Sequence, residues 1–223
     1  MRTLAFDTST EFLSVALLDN DKVKAAFHEN VGIKHSEVLI PTISALLKKA
    51  KWSLSDVELI CVGLGPGSFT GLRIAVTMVK GLSLSLKVKV VGVPTMDAIV
   101  ENAPKNKKIV APFLDAHKEK IYTCIYRRTE SDFKKETDYL LLTVEELVSN
   151  LKEKVFFFGS GIKKYKDKLE TCPLAEYSDK IDWYPRADVL GRLGQKKAQT
   201  KTDDPETLEP LYLHPKECNI VVR

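Results

Sequence analysis

Apolar positions in this chain follow two rhythms, and the order of those rhythms repeats. Residues 3–7, 12–18 and 22–28 carry apolar and β-prone side chains in short runs. Asp19-Asn20-Asp21 marks a turn between the second and third, so the stretch predicts three strands in a meander. Leu39, Ile43, Leu46, Leu47 and Ala50 then recur at helical spacing, with Ser36 as the cap candidate. Pro41 predicts an irregular or kinked first turn there. A buried strand is expected over 57–62, a glycine-rich turn over 63–71, a helix over 72–86, a strand over 88–93 and a short helix over 95–100.

The polar, proline-containing stretch 103–108 is a candidate boundary. After it the pattern restarts, with strands expected over 109–114, 120–126 and 139–143. A helix follows over 143–151, with Thr143 and Glu146 in capping-box spacing. The apolar run 155–158 ends in Gly159-Ser160-Gly161, and a last helix over 186–198 leads into a proline-punctuated tail. The opening order βββαβαβ is that of a ribonuclease H-like layer, and the second half reads as a shorter, degenerate copy. The expected architecture is therefore α/β, with a first lobe over 1–103 and a smaller second lobe over 104–223 that includes the terminal helix and tail. No repeat is visible in the residues themselves.

Composition excludes several classes. The chain has 223 residues, 44% hydrophobic and 29% charged, enough for a packed core and unlike a disordered chain. A formal net charge of +4 is compatible with nucleic acid nearby but does not argue for it. Apolar runs such as 155–158 are too short to cross a bilayer. Asp7 interrupts the apolar start after Leu4-Ala5-Phe6, so no signal peptide and no membrane are expected. Cys61, Cys124, Cys172 and Cys218 stand far apart without metal-site spacing and read as reduced packing residues of a cytoplasmic protein.

Candidate chemistry clusters at strand ends. Gly65-Pro66-Gly67-Ser68-Phe69-Thr70-Gly71 lies between a strand and a helix, where it is either a structural turn or an anion cradle. It lacks the lysine of a P-loop and the glycine spacing of a nucleophile elbow. Asp7 ends the first strand and either opens an Asx-turn or faces a metal or phosphate. Asp115, in Asp115-Ala116-His117, is either a hairpin corner or a group presented to a cleft. His28, His35, His117 and His214 have no metal-site spacing. The lysine clusters around Lys105, Lys163 and Lys196 read as solvated faces.

Several blocks together carry a resemblance. Asp7-Thr8-Ser9-Thr10, His35-Ser36-Glu37, Gly65-Pro66-Gly67-Ser68-Phe69-Thr70-Gly71-Leu72-Arg73, Lys80-Gly81-Leu82, Leu114-Asp115-Ala116 and Pro210-Leu211-Tyr212-Leu213 occur in order. The chain closely resembles the bacterial TsaB family, formerly YeaZ, over essentially its whole length. The resemblance implies an actin-like ATPase (ASKHA) fold of two ribonuclease H-like lobes. It implies a non-catalytic partner that binds and activates TsaD in forming N6-threonylcarbamoyladenosine at position 37 of tRNAs reading codons that begin with A. TsaE joins the complex, and tRNA is met only indirectly through it. TsaD-like chains carry a metal-binding histidine pair where this sequence has Pro94-Thr95-Met96-Asp97-Ala98-Ile99. No catalytic residue and no metal site are therefore expected, and no tightly bound cofactor, with nucleotide only in the complex. A vestigial nucleotide or anion site would comprise Asp7, Gly67, Ser68, Thr70, Asp115, Gly159 and Gly161. A small ATP-dependent kinase on the same fold is the rival reading; a peptidase fits less well, lacking a recognisable nucleophile–histidine pair.

On the helix over 72–86, Leu72, Ala75, Val79, Leu82 and Leu86 form one stripe that should pack on the first lobe's sheet. The other side carries Ile74 and Met78, with Thr77, Gly81 and Ser85 at intervals of four. Small residues there would admit another helix closely. That side is either packed inside its own lobe or, with Leu39 and Ile43 of the preceding helix, a docking surface for TsaD and for a homodimer when the chain is alone. The resemblance agrees, since TsaB-like proteins use the helices of this lobe for both contacts.

Overall fold

A strand buried on both faces reads as an unbroken apolar run, and β1 (Arg2–Asp7) is such a strand, with Leu4, Ala5 and Phe6 all fully buried. The computed structural model describes residues 1–180 and 183–213; His214 and Cys218 lie outside the described residues. β1 pairs antiparallel with β2 (Phe12–Asp19), which pairs antiparallel with β3 (Lys22–Asn30). On its other side β1 runs parallel to β4 (Leu59–Gly63), and β4 to β5 (Lys89–Val93). The five-stranded order is β3-β2-β1-β4-β5.

Alternation along the strands sends Leu4 and Phe6 to one face and Ala5 to the other. On the first face they meet α1 (His35–Ala50) and α2 (Phe69–Leu86) through Leu39, Ile43, Leu46, Ala75 and Val79. Lys34 rather than Ser36 precedes α1, and no side chain caps it. Pro41 lies inside α1 on its exposed side, where water can satisfy the carbonyl that its missing N–H leaves free. α2 begins at Phe69, three residues before the expected start, because the Ser68 hydroxyl accepts from Gly71 N at 3.2 Å and caps the helix.

On the second face Ala5, Ala16, Leu18, Cys61 and Val91 meet α3 (Thr95–Ile99) and α6 (Ala187–Ala198), joined by Leu190 and Ala98. Residues Tyr184–Leu211 thus belong with Met1–Glu101 in the first compact unit, and Asn102–Trp183 form the second. This corrects the expected division, which put the last helix with the second half. The reason is close packing: Gly194 faces Cys61, and Gly191 faces Ala5 and Leu18, so α6 lies directly on the sheet. Beyond it, Asp203 bridges Val90 and covers the outer edge of β5, and Leu208 enters the core.

In the second unit β6 (Ile109–Asp115) is the central strand. It pairs antiparallel with β7 (Ile121–Thr123), and β7 with β10 (Leu140–Leu142). Parallel to β6 runs β11 (Val155–Phe158), and then β12 (Ala175–Ser178). The path β10-β7-β6-β11-β12 repeats the order and directions of the first sheet. The expected strand over 120–126 is two strands, since β8 (Tyr126–Arg128) pairs instead with the start of β6 and with β9 (Phe133–Lys135). α4 (Val144–Ser149) has the expected capping box from Thr143 and Glu146. α5 (Ile162–Glu170), unforeseen in the sequence, buries Ile162, Tyr165 and Leu169.

A methyl group at Gly194 would overlap the Cys61 sulfur and lie 2.9 Å from its Cβ, with Cys61 fully buried. Gly194→Ala should destabilise the chain by about 1–3 kcal/mol. Urea denaturation checks this, and a neutral or stabilising effect would contradict the packing of α6 on the sheet.

Candidate functional site

The ends of β1 and β4 lie side by side, and the residues after them interlock. Asp7 is fully buried. Its Oδ1 accepts from Ser9 N at 2.7 Å and Ser9 Oγ at 2.6 Å, and its Oδ2 accepts from Thr95 Oγ1 at 2.8 Å. A Cβ on Gly63 would overlap Asp7 Oδ2. Thr95 also exchanges two bonds with Gly65: its hydroxyl accepts from Gly65 N at 3.0 Å, and its own N–H donates to Gly65 O at 2.8 Å. Further along, Ser68 N donates to Ser9 O at 2.7 Å, and Thr8 Oγ1 donates to Gly71 O at 2.7 Å. Methyl groups on Gly67 and Gly71 would overlap Ser9 O and Thr8 O.

Asp7 was a candidate to face a metal or phosphate; both of its oxygens accept from the protein's own donors, out of solvent. The same contacts fasten the glycine-rich segment as a turn against residues 7–9, with Ser68 and Thr70 exposed beyond it. Burial pushes the Asp7 carboxyl above its ordinary value near 3.8, against the lowering effect of the Ser9 and Thr95 hydrogen bonds. Leu211 N donates to Leu64 O at 2.8 Å, so the chain returns to this loop at Leu211.

Asp115, Gly159 and Gly161 meet in the second unit. Asp115 N donates to Ser160 Oγ at 3.0 Å, and Gly161 N donates to Phe113 O at 2.9 Å. Gly159 has φ +138°, and a Cβ there would sit 2.6 Å from Phe113 O. The Asp115 carboxylate caps His117 N at 3.0 Å and takes Tyr165 Oη at 3.3 Å and Lys164 Nζ at 3.4 Å. It is a hairpin corner. His117, Lys118 and Glu119 all have positive φ, and the His117 side chain is exposed. Other lysines read as solvated also have internal partners: Lys107 pairs with Glu176, and Lys197 with Asp203 at 2.8 Å.

His35 is buried, with Nε2 3.5 Å from Phe12 O, and His28 lies beside the Phe12 ring. Among the described residues no three His, Cys, Asp or Glu side chains gather as a metal site. Cys61, Cys124 and Cys172 are free thiols, and burial raises the Cys61 thiol far above its usual range.

The outward side of α2 differs in kind. Thr77, Gly81 and Ser85 are exposed, Ile74 and Met78 are half-buried, and a Cβ on Gly81 would meet nothing within 4 Å. With Ser36 of α1, this side lines a groove of about 620 Å³ that also takes in Phe69, Thr70 and Arg73. The Arg73 guanidinium lies 3.9 Å from the centre of the Phe69 ring. Large apolar side chains stand open here: Phe69 is 53% exposed, and Leu84 is 76% exposed. On the α1 side Ile40 is 59% and Ile33 is 96% exposed. Leu39 and Ile43, expected on this surface, are instead core residues turned to the sheet, which is why they share the helical stripe with Leu46 and Leu47. Ile40, one step round the helix, is the apolar residue that α1 offers outward. α2 is also apolar and long enough to cross a bilayer by length and composition, contrary to the reading of the runs, although its inner stripe is spent on its own sheet.

Two α/β units built on one strand order, each with a glycine turn after the strand parallel to its central one, have the actin-like ATPase fold. A ROK hexokinase from Thermus thermophilus shares this fold at a TM-score of 0.52 with 10% identity, covering 89% of this chain and 100% of that one. The family model described as TsaD, tRNA N6-adenosine threonylcarbamoyltransferase, matches residues 27–217. The chain is 31% identical over 219 residues to the tRNA threonylcarbamoyladenosine biosynthesis protein TsaB of Escherichia coli (strain K12), covering 96% of this chain and 94% of that protein. The structure of YeaZ from Pseudomonas aeruginosa superposes at a TM-score of 0.81 with 30% identity, covering 95% of this chain and 99% of that one. The chain belongs to the TsaB (YeaZ) family, whose members are named for tRNA threonylcarbamoyladenosine biosynthesis.

A carboxyl whose pKa is higher folded than unfolded holds its proton more tightly in the native state. Asp7 should therefore add stability as pH falls through its raised pKa toward 3.8. Asp7→Asn lacks that gain, so urea midpoints should shift in favour of wild type as pH is lowered from neutrality toward 4. Parallel midpoint curves would contradict the assignment.

Proposed function

We propose that this chain takes part in forming N6-threonylcarbamoyladenosine at position 37 of tRNAs reading codons that begin with A. In this reading it acts as a non-catalytic partner that binds and activates TsaD. Family membership supports the pathway, and the open apolar side of α2 carries the partner role. A helix facing only water would be polar there. Instead Phe69 and Leu84 stand exposed and Gly81 has free space above it, a surface that a second helix can approach closely. Alone, the chain covers the same face with a second copy related by a two-fold axis. TsaE joins in the assembly, tRNA is met through the complex, and the setting is cytoplasmic.

The non-catalytic part of the reading rests on the residues at the position of the TsaD histidine pair. Thr95 is fully buried and gives its hydroxyl to Asp7, and Ile99 is fully buried and apolar. Neither fits a metal ligand. The kinase alternative needs an accessible Asp7 and loses support from the same bonds. The isolated chain then holds no nucleotide tightly, nucleotide entering only with the partners.

Gly81→Arg should leave circular dichroism unchanged, since the site is open, and should abolish both the homodimer and the complex with TsaD on size-exclusion chromatography. A folded variant that still binds TsaD normally refutes this face. Deleting the gene should lower threonylcarbamoyladenosine in digested tRNA measured by mass spectrometry, and unchanged modification in a genome without a second copy refutes the pathway.

A further inference from the structure

The face carried by α2 can be no better placed than the helix's first turn, and that turn is held by residues far away in sequence. Phe69, Thr70 and Arg73, which line the groove, follow directly on the glycine loop. The loop has few side chains with which to hold itself. Residues 7–9 fasten it at four places: Gly63 against Asp7, Gly65 through Thr95, Ser68 N on Ser9 O, and Gly71 O on Thr8 Oγ1. Asp7 is central, because it fixes Ser9 with two hydrogen bonds and Thr95 with one.

We infer that Asp7 is a positioning residue for the docking face: its carboxylate fixes Ser9 and Thr95, these fix the glycine loop, and the loop sets the first turn of α2 from which Phe69, Thr70 and Arg73 project. The docking half of this inference rests on the function proposed above; the fastening of the loop does not. Removing the carboxylate leaves Ser9 N, Ser9 Oγ and Thr95 Oγ1 buried without their acceptor, a loss larger than that of one exposed contact. An asparagine at position 7 keeps an oxygen for both Ser9 donors and places an amide against Thr95 Oγ1, whose second lone pair can accept it, so that only the Thr95 hydroxyl hydrogen loses its acceptor.

The test uses the full chain and two readouts, amide hydrogen exchange over 63–72 and affinity for TsaD. Asp7→Ala should speed exchange in that segment selectively and weaken association about tenfold or more. Asp7→Asn should restore most of both. Thr95→Val, which removes one link, should speed exchange at Gly65 and weaken association less, and it decides the question if Asp7→Ala fails to fold. Gly194→Ala, destabilised on the other side of the sheet, should bind normally at concentrations where it is folded. Faster exchange with unchanged affinity overturns the positioning role, as does equal weakening by Gly194→Ala. Unchanged exchange in both Asp7→Ala and Thr95→Val overturns the fastening itself. Wild-type chain that fails to bind TsaD overturns the docking reading, and exchange over 63–72 then separately decides whether Asp7 holds the loop.

Discussion

Asp7 sits wholly out of solvent and, among the described residues, accepts hydrogen bonds only from a backbone N–H and two hydroxyls. Burying such a carboxyl is expensive unless its oxygens are satisfied, so the surrounding backbone has to bring donors to it. Ser9 supplies two by turning back on its own strand. Thr95 supplies the third from the start of α3, and in doing so ties that helix to the loop after β4. The absence of a side chain at Gly63 is what lets the carboxylate lie in this space. The course of the loop, the capped start of α2 and the junction of β5 with α3 all follow from satisfying one group.

The outer face of α2 is a consequence of the same arrangement. Of its inner stripe, Ala75 and Val79 are used against the sheet, and Leu72 is buried beside Gly65 of the loop. A glycine inside a helix costs about 1 kcal/mol relative to alanine, and among the described residues no atom outside the neighbouring turns of α2 lies within 4 Å of a Cβ built on Gly81 to offset it. Isolated exposed apolar residues need no explanation, but here they occur together with an uncompensated helix-weakening glycine. The contact with another chain proposed above would account for both.

Elements with strong internal patterns were legible in the sequence: the continuous runs of β1, β4 and β11, the two long helices, and the capping box of α4. Those whose existence depends on neighbours were not. In α5 most positions are lysine or acidic, and its three buried residues, Ile162, Tyr165 and Leu169, were outweighed by a charge run that read as a solvated face; their spacing of three and four was the available signal. β9 and β12 are too short for periodicity to mark, being set by pairing with β8 and β11. The return of α6 to the first sheet followed no sequence adjacency, though Gly191 and Gly194, three apart on one helix face, were a trace of close packing. The importance of Asp7 could be read from its place at a strand end. That its oxygens turn inward could not, because Thr95 lies 88 residues away in the chain.

The two units solve one geometric problem with different chemistry. Each has an aspartate at the end of its central strand, Asp7 or Asp115, and each brings a glycine turn across from the neighbouring parallel strand. In both, a side chain on the turn would strike the central segment: Gly63 would meet Asp7, and Gly159 and Gly161 would meet Phe113. The electrostatics then diverge. Asp115 is partly exposed and takes Lys164 and Tyr165 as partners, so solvent and a cation share in stabilising its charge. Asp7 has only neutral donors within hydrogen-bonding distance among the described residues, and their placement, with a smaller contribution from His35, stabilises its charge. A carboxylate in the first setting tolerates movement of its neighbours, whereas one in the second does not. The less tolerant site is therefore the one that supports the start of α2, where the exposed face begins.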